Sequence, residues 1–153
     1  MHPNADLLRK LYTSLNQHRY AGMAECYHRE AIFHDIAFDL QGKDQIAVMW
    51  RMICSGDLRA TFEVVRADDR SGMAEVVDEY TFAETGRRVR NPIESRFRFR
   101  DGLIIEHRDS CDARAWANAA LGGFGGFLAG RLRFLRAWKA NAMLRRFSIA
   151  NAS

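Results

Sequence analysis

The spacing of apolar residues changes once along this chain, and that change limits the possible folds more than any other feature. Before Ser55-Gly56-Asp57 the apolar residues recur at helical spacing, and after it apolar and polar residues alternate. The alternating segments are 60–67, 73–83, 89–100 and 103–111. Turn-forming runs such as Asp69–Gly72 and Arg100–Gly102 separate them, as in β-hairpins. Helices followed by an antiparallel meander predict an α+β fold, with the helices packed on one face of a curved sheet.

The part of the chain before this change is predicted to form three helices and one strand. The predicted helices are 6–16, 20–27 and 43–54, and the predicted strand is 31–38. Asn4 or Asp6 is a suitable N-cap for the first helix, because both side chains accept hydrogen bonds from free backbone N–H groups. In the third segment of the meander, Asn91 and Pro92 indicate either the start of the strand or a bulge at its edge.

Length and composition restrict the class of protein. The chain has 153 residues, enough for one domain of ordinary size, and its 48% apolar and 27% charged residues exclude disordered and fibrous classes. The three cysteines have no CxxC spacing, which argues against a disulfide framework or a zinc ribbon. No apolar run is long enough to span a bilayer, and the first residues do not resemble a signal peptide. We therefore expect a reduced, cytoplasmic protein.

The charge is divided unevenly between two regions. Seven of the 23 basic residues and none of the 19 acidic residues lie after Asp112, so residues 1–112 carry a net charge of −3 and 113–153 a net charge of +7. We predict an α+β domain over 1–112 and a basic, amphipathic helical extension over 113–153. In this extension a helix over 113–121 is followed by a glycine-rich hinge at 122–126 and a second helical stretch.

The second stretch, 127–149, has an apolar stripe with most of its arginines outside that stripe. Capping of the domain or formation of a homodimer fits this pattern best. Contact with an anionic membrane surface is an alternative, because a basic amphipathic helix can lie on such a surface. Nucleic acid is not expected as a partner, since the rest of the chain is net acidic.

Three motifs carry a resemblance to a known family. They are FHD in the predicted strand, GKDQIAVMWR at the third helix and FRFRDGLIIEHRDSCD at the end of the meander. Over about 6–112 the chain resembles the SnoaL-like branch of the nuclear-transport-factor-2-like superfamily. The resemblance implies a cone, in which a strongly bent antiparallel sheet wraps around helices and leaves an apolar pocket. The superfamily contains isomerases, polyketide cyclases, epoxide hydrolases, dehydratases and proteins without catalysis, so it implies a fold and not a reaction.

The resemblance places Asp35 and Tyr12 where ketosteroid-isomerase-like members keep a general base and an oxyanion donor. On a strand over 31–38, Asp35 shares a face with Phe33. An apolar pocket would raise its pKa towards the working range of a base. The alternative is that Asp35 caps the following turn or pairs with an arginine, and that Tyr12 is an ordinary core tyrosine.

Ser95 takes the place of the aspartic acid that is the second oxyanion donor of those isomerases. Because a serine is a weaker acid, this departure argues against steroid isomerisation itself. His107 and Asp109 lie two residues apart on the last strand, whose positions 103, 105, 107, 109 and 111 are expected to share the inner face. Such a pair can hold an imidazole as an acid/base group near neutral pH. A structural pair that ties the strand to the extension or to a second copy is the alternative.

The predicted binding residues are aromatic or weakly polar. They are expected to point into the space between the helices and the sheet. They are Phe33, Trp50, Tyr80, Ser95, Phe97, Phe99 and Cys111. Such residues fill a core as readily as they line a pocket, and Cys111 is expected to be an inert thiol. Asp35, His107 and Asp109 have the types of a zinc or iron site, but no HxH or ExxH spacing relates these three residues, and no metal or cofactor is expected.

These observations give two functional hypotheses. The first is a protein that binds a small, mostly apolar molecule and converts it by cofactor-independent acid/base chemistry: isomerisation, cyclisation, dehydration or hydrolysis of a polyketide, steroid or terpenoid type of compound. Its catalytic residues would be Asp35, His107, Asp109 and Tyr12. The second is a non-catalytic binding or dimerisation module, whose basic extension contacts a partner or a membrane.

Overall fold

The computed structural model describes residues 2–122, which form a mixed α+β fold built on one curved, open sheet. The helices described are α1 (Pro3–Asn16), α2 (Tyr20–Ala24), α3 (Lys43–Cys54) and α4 (Ala113–Leu121). The strands are β1 (Tyr27–His34), β2 (Asp39–Gln41), β3 (Arg59–Ala67), β4 (Ser71–Phe82), β5 (Arg87–Arg100) and β6 (Leu103–Cys111). The predicted fold class is confirmed.

The sheet has six strands in the order β2-β1-β6-β5-β4-β3. Neighbouring strands are antiparallel except β1 and β6, which run parallel. The prediction of a purely antiparallel sheet is therefore wrong at this one pair. Strand β1 comes before α3 in the chain, and it enters the sheet beside the last strand instead of extending the meander.

The helices α1 and α3 cover the concave face of the sheet and form the core with it. Leu8, Leu11 and Leu15 of α1 and Ile46 and Met49 of α3 are almost fully buried. Their periodic spacing is the reason for this, because each helix presents one apolar stripe to the sheet.

Helix α1 begins earlier than its leucine pattern indicates. Its N-cap is His2, whose Nδ1 accepts from the Asn4 N–H at 3.1 Å, and Pro3 occupies the first turn, where a missing N–H costs nothing. Neither Asn4 nor Asp6 is the cap that the sequence predicted.

The first strand lies four residues earlier than predicted. Helix α2 ends at Ala24, and β1 runs from Tyr27 to His34 instead of 31–38. Asp35 ends the strand because its Oδ1 accepts from the backbone N–H groups of Ala37 at 2.7 Å and Phe38 at 2.6 Å. The turn that results reverses the chain into β2, a strand that the sequence analysis missed. Asp35 is therefore on a turn and does not share a strand face with Phe33.

The last strand contains an irregularity that changes which residues face inward. The register between β5 and β6 shifts between Arg98 and Phe99, which pair with Glu106 and Ile104. Ile104 is fully buried, whereas Leu103 and Ile105 are partly exposed. The predicted inner face is therefore wrong at 103 and 105 and correct from His107 onward, because the strand gains one residue in between.

Strand β5 is continuous through Asn91 and Pro92, and the predicted bulge or strand start is not found there. The last residue of β6, Cys111, pairs with Ile93, so Pro92 lies beyond the part of β6 that pairs with β5. A proline without a backbone N–H is tolerated at such a place.

Helix α4 has the bounds predicted for the start of the extension. Asp112 caps it by accepting from the N–H groups of Arg114 and Ala115, and Ala117 and Ala120 are buried against the rest of the fold. Apart from Gly122, the predicted hinge over 122–126 and the predicted stretch 127–149 lie outside the described residues. Among residues 2–122, no helix is long and apolar enough to cross a membrane.

Candidate functional site

Polar side chains from four elements and one turn meet on the concave face of the sheet. Pairing of β5 with β6 sets Ser95 opposite Asp109 and Phe97 opposite His107. Helix α1 adds Tyr12, which is buried over the same strands. Asp78 of β4 and Asp35 of the β1–β2 turn lie near them: burial raises the pKa of both, and the charge of Asp109 acts in the same direction.

Asp109 is the centre of this polar group. Its Oδ1 accepts from the Ser95 hydroxyl at 2.6 Å and is 2.7 Å from His107 Nε2. The Tyr12 hydroxyl donates to Ser95 Oγ at 2.9 Å. The structure therefore brings together Tyr12, Ser95, His107 and Asp109, four residues that the sequence analysis selected.

His107 lies inside the hydrophobic core. It is fully buried, and its ring centroid is 4.4 Å from that of Phe97 and 4.7 Å from that of Phe33. Its Nδ1 is 2.8 Å from the hydroxyl of Tyr27, which in turn accepts from Trp50 Nε1 at 3.2 Å. Tyr27 was not selected from the sequence, because the predicted helix 20–27 made it the last residue of an apolar helix face, and only the structure places it at the start of β1.

The predicted binding residues fall into two groups in the structure. Phe33, Trp50, Phe97 and Phe99 are at most 8% exposed and pack in the core. Tyr80 and Cys111 are partly exposed, nearer to α4. Tyr80 accepts a hydrogen bond from Trp116 Nε1 at 2.6 Å.

Cys111 is held as a thiol, because burial raises the pKa of Cys111. Its thiol also has a hydrogen bond with the side chain of Asn91, a residue that is itself buried. This environment agrees with the expectation of an inert cysteine.

Asp35 both caps a turn and has a raised pKa. Burial raises the pKa of Asp35 to about 7, and the charge of Asp109 acts in the same direction, against the effect of the two N–H groups that it accepts from. One of the alternatives foreseen for this residue, capping of the next turn, is present. Asp35 therefore caps the turn and also lies within reach of the charge of Asp109.

Asp78 is the site residue that the sequence analysis missed. Its Oδ1 is buried and has no hydrogen-bond partner among the described residues. Burial raises the pKa of Asp78 to about 7, and the charges of Asp109 and Asp35 act in the same direction. The signal was available: Asp78 continues the alternation of Ala74 and Val76, which are both buried.

Two shallow concavities on the opposite, outer face of the sheet are also open to solvent. One, of about 690 Å³, includes Glu63, Glu75 and Glu94 among its lining residues. The other, of about 540 Å³, is lined in part by Arg70, Arg98 and Arg100. Neither contains the aspartates of the concave face.

Comparison with known proteins agrees with the fold. A family model described as SnoaL-like domain matches residues 8–107. No curated protein matches the chain. Many solved structures do match, and three of them illustrate the functions that proteins of similar fold carry.

The first similar structure is an LEH-like epoxide hydrolase of M. tuberculosis, with 16% identity, a TM-score of 0.63 and coverage of 84% of this chain and 96% of that chain. The second, named a putative isomerase, is from Bacillus subtilis, with 21% identity, a TM-score of 0.63 and coverage of 80% and 96%. The third, named a putative polyketide cyclase, is from Silicibacter sp., with 18% identity, a TM-score of 0.66 and coverage of 76% and 94%. At these identities the likeness concerns the fold.

Proposed function

The chain belongs to the SnoaL-like domain family, and from that premise we propose that it binds a small, mostly apolar molecule on the concave face of its sheet and converts it by cofactor-independent acid/base chemistry. The observation that carries the proposal is that Asp35, Asp78 and Asp109 lie near enough for their charges to act on one another, while burial raises the pKa of Asp35 and of Asp78 to about 7. Groups with such a pKa exchange protons readily at neutral pH.

The roles follow from the surroundings of each carboxyl group. Asp109 is held at Oδ1 by the Ser95 hydroxyl, which donates to it at 2.6 Å, and by His107 Nε2 at 2.7 Å, and a carboxylate fixed in this way suits a base. Asp78, whose buried Oδ1 has no partner among the described residues, remains partly protonated at neutral pH and suits an acid. An acid and a base on one surface can remove a proton from a substrate or a water molecule and return one elsewhere.

The charge of the site also restricts its substrate. Three carboxyl groups disfavour a substrate with a negative charge of its own, because like charges repel strongly where water is excluded. Tyr80 and Trp116 beside them offer aromatic surface for an apolar body. An uncharged molecule with a carbonyl or an epoxide oxygen fits both conditions.

This function is tested with two uncharged probes in D₂O. Proton exchange next to the carbonyl of cyclohexanone and the opening of cyclohexene oxide are followed by NMR. We expect the wild type to accelerate at least one reaction, and we expect Asp109→Asn and Asp78→Asn to lower that rate by about 100-fold. The control is Asp44→Asn, because Asp44 is an exposed carboxylate of α3.

Equal rates with the wild type and with both site variants would contradict the proposal. Binding of the probes without conversion would favour the non-catalytic binding module instead.

A further inference from the structure

We propose that Tyr27 is a positioning residue, which fixes His107 in its Nε2–H tautomer and leaves Oδ2 of Asp109 as the proton-accepting atom of the site. The catalytic part of this inference rests on the proposed function, whereas the tautomer does not. The inference also changes the role expected of His107, from an acid/base group to a support for Asp109.

His107 cannot meet a substrate directly. It is fully buried, and both of its ring nitrogens already have partners within 2.8 Å, Tyr27 on Nδ1 and Asp109 on Nε2. A substrate atom would have to displace one of these partners and separate the surrounding aromatic rings. A group that acts only through Asp109 positions the base and is not itself a base.

Trp50 determines the direction of the hydrogen bonds in this chain of residues. Its Nε1–H can only donate, so the hydroxyl oxygen of Tyr27 is its acceptor at 3.2 Å. Burial raises the pKa of Tyr27 well above its ordinary value, so the hydroxyl keeps its proton. That proton points to His107 Nδ1, the other close polar atom, at 2.8 Å.

The tautomer of His107 follows from this direction. Since Nδ1 accepts from Tyr27, a neutral imidazole carries its proton on Nε2 and donates it to Asp109 Oδ1 at 2.7 Å. A proton on Nδ1 would face an oxygen that already accepts from Trp50, and among the described residues the Tyr27 proton would then have no acceptor.

A second chain of donors reaches the same oxygen from the other side. Tyr12 donates to Ser95, and Ser95 donates to Asp109 Oδ1 at 2.6 Å. No described residue donates to Oδ2, and the Asp109 side chain keeps 15% of its surface exposed. The two chains therefore hold one oxygen of the carboxylate and leave the other without a donor among the described residues.

The test is histidine ring NMR on the full-length ¹⁵N-labelled protein, without any substrate. Two-bond proton–nitrogen correlations distinguish the two tautomers and the imidazolium, and His107→Gln identifies the signal of His107 among the five histidines. We expect a protonated Nε2 and an unprotonated Nδ1 in the wild type. We expect Tyr27→Phe to abolish this single-tautomer pattern, because the donor to Nδ1 is gone.

Tyr12→Phe is the matched control, because it removes a hydroxyl from the other chain and should leave the His107 pattern unchanged. A protonated Nδ1 in the wild type, or an unchanged pattern in Tyr27→Phe, would overturn the inference. If Tyr27→Phe does not fold, Tyr27→Met removes the same hydroxyl donor to His107 Nδ1 and is judged by the same criterion.

Activity provides a separate readout where the wild type converts a probe. Tyr27→Phe should then lower kcat about tenfold, the effect of one misplaced hydrogen bond, with KM nearly unchanged. A fixed tautomer in a protein without activity would refute the proposed function and leave the tautomer assignment intact. A large rise in KM with kcat unchanged would contradict the positioning role.

Discussion

At the scale of single residues, Asp78 shows what strand alternation can and cannot predict. The alternation of β4 is visible in the sequence, and it places Asp78 on the same side as the buried Ala74 and Val76. Burial of a carboxyl group, however, depends on what covers it, in this case elements far away in the chain. Ser95, His107 and Asp109 could be selected from the sequence because they lie in or beside the segment FRFRDGLIIEHRDSCD, which resembles a known family. Asp78 lies outside any such segment.

The raised pKa of Asp78 predicts a stability effect with a definite sign. In the unfolded chain its pKa is near 3.9, whereas in the folded chain it is about 7. Between these values the folded state keeps a proton that the unfolded state loses, so stability falls as the pH rises through this window. Asp78→Asn removes this cost. We expect its free energy of unfolding, relative to the wild type, to be higher at pH 8 than at pH 5 by on the order of 2 kcal/mol.

Urea unfolding of both proteins at the two pH values measures this difference. Asp57→Asn is the control, because hydrogen bonds from Thr81 lower the pKa of the exposed Asp57. Its contribution to stability is fully present above the unfolded pKa, and both pH values lie above it, so the difference between this variant and the wild type should be nearly the same at pH 8 and at pH 5. An Asp78→Asn effect that is independent of pH would show that Asp78 ionises normally in the fold.

At the scale of elements, the sequence predicted the bounds of β6 but not its irregularity. Assigning every second residue of a strand to the inner face assumes that the strand has no bulge. The register shift between β5 and β6 breaks that assumption at Ile105. The same limit applies to β1, where Asp35 ends the strand by accepting backbone N–H groups. Both features depend on local hydrogen bonds that a hydrophobic pattern does not contain.

The shift predicts opposite outcomes for two adjacent isoleucines. Ile104 is fully buried, and Ile104→Ala should lower the free energy of unfolding by about 3 kcal/mol through lost burial and the cavity that remains. Ile105 is partly exposed on the outer face, and Ile105→Ala should cost about 1 kcal/mol or less. Urea unfolding of the two variants decides between this assignment and simple alternation, which predicts the reverse order.

At the scale of the whole molecule, the outer face of the sheet carries charges in rows. The strand register sets Glu63 opposite Glu75 and Glu75 opposite Glu94. In the next row along the strands, Arg96 lies opposite Arg108. Like charges directly opposite each other in a sheet are destabilising, and bonds within strands, such as Arg96 to Glu94 at 2.6 Å, relieve only part of the repulsion.

An acidic row beside a basic row is complementary to its own copy turned by a two-fold rotation. A two-fold axis that lies in the interface, midway between Glu75 and Arg96 and perpendicular to the line joining them, exchanges the positions of these two residues. A second copy laid on this face would set its Arg96 over Glu75 and its Glu75 over Arg96, and interfaces of this isologous kind close after two subunits. The concavity of about 690 Å³ that contains the glutamates gives room for the arginine side chains. We therefore expect this chain to form a homodimer through the outer face.

Charge exchange within one chain tests this arrangement. In sedimentation velocity experiments at low salt, we expect a dimer for the wild type and monomers for Glu75→Arg and for Arg96→Glu, since each single change sets like charges against each other. The double variant exchanges both charges and should be a dimer again, because every contact pairs opposite charges once more. Glu25→Arg, an exposed change on the helical side, should leave the dimer intact. A monomeric wild type, or a double variant that stays monomeric, would show that the charge rows have no part in association.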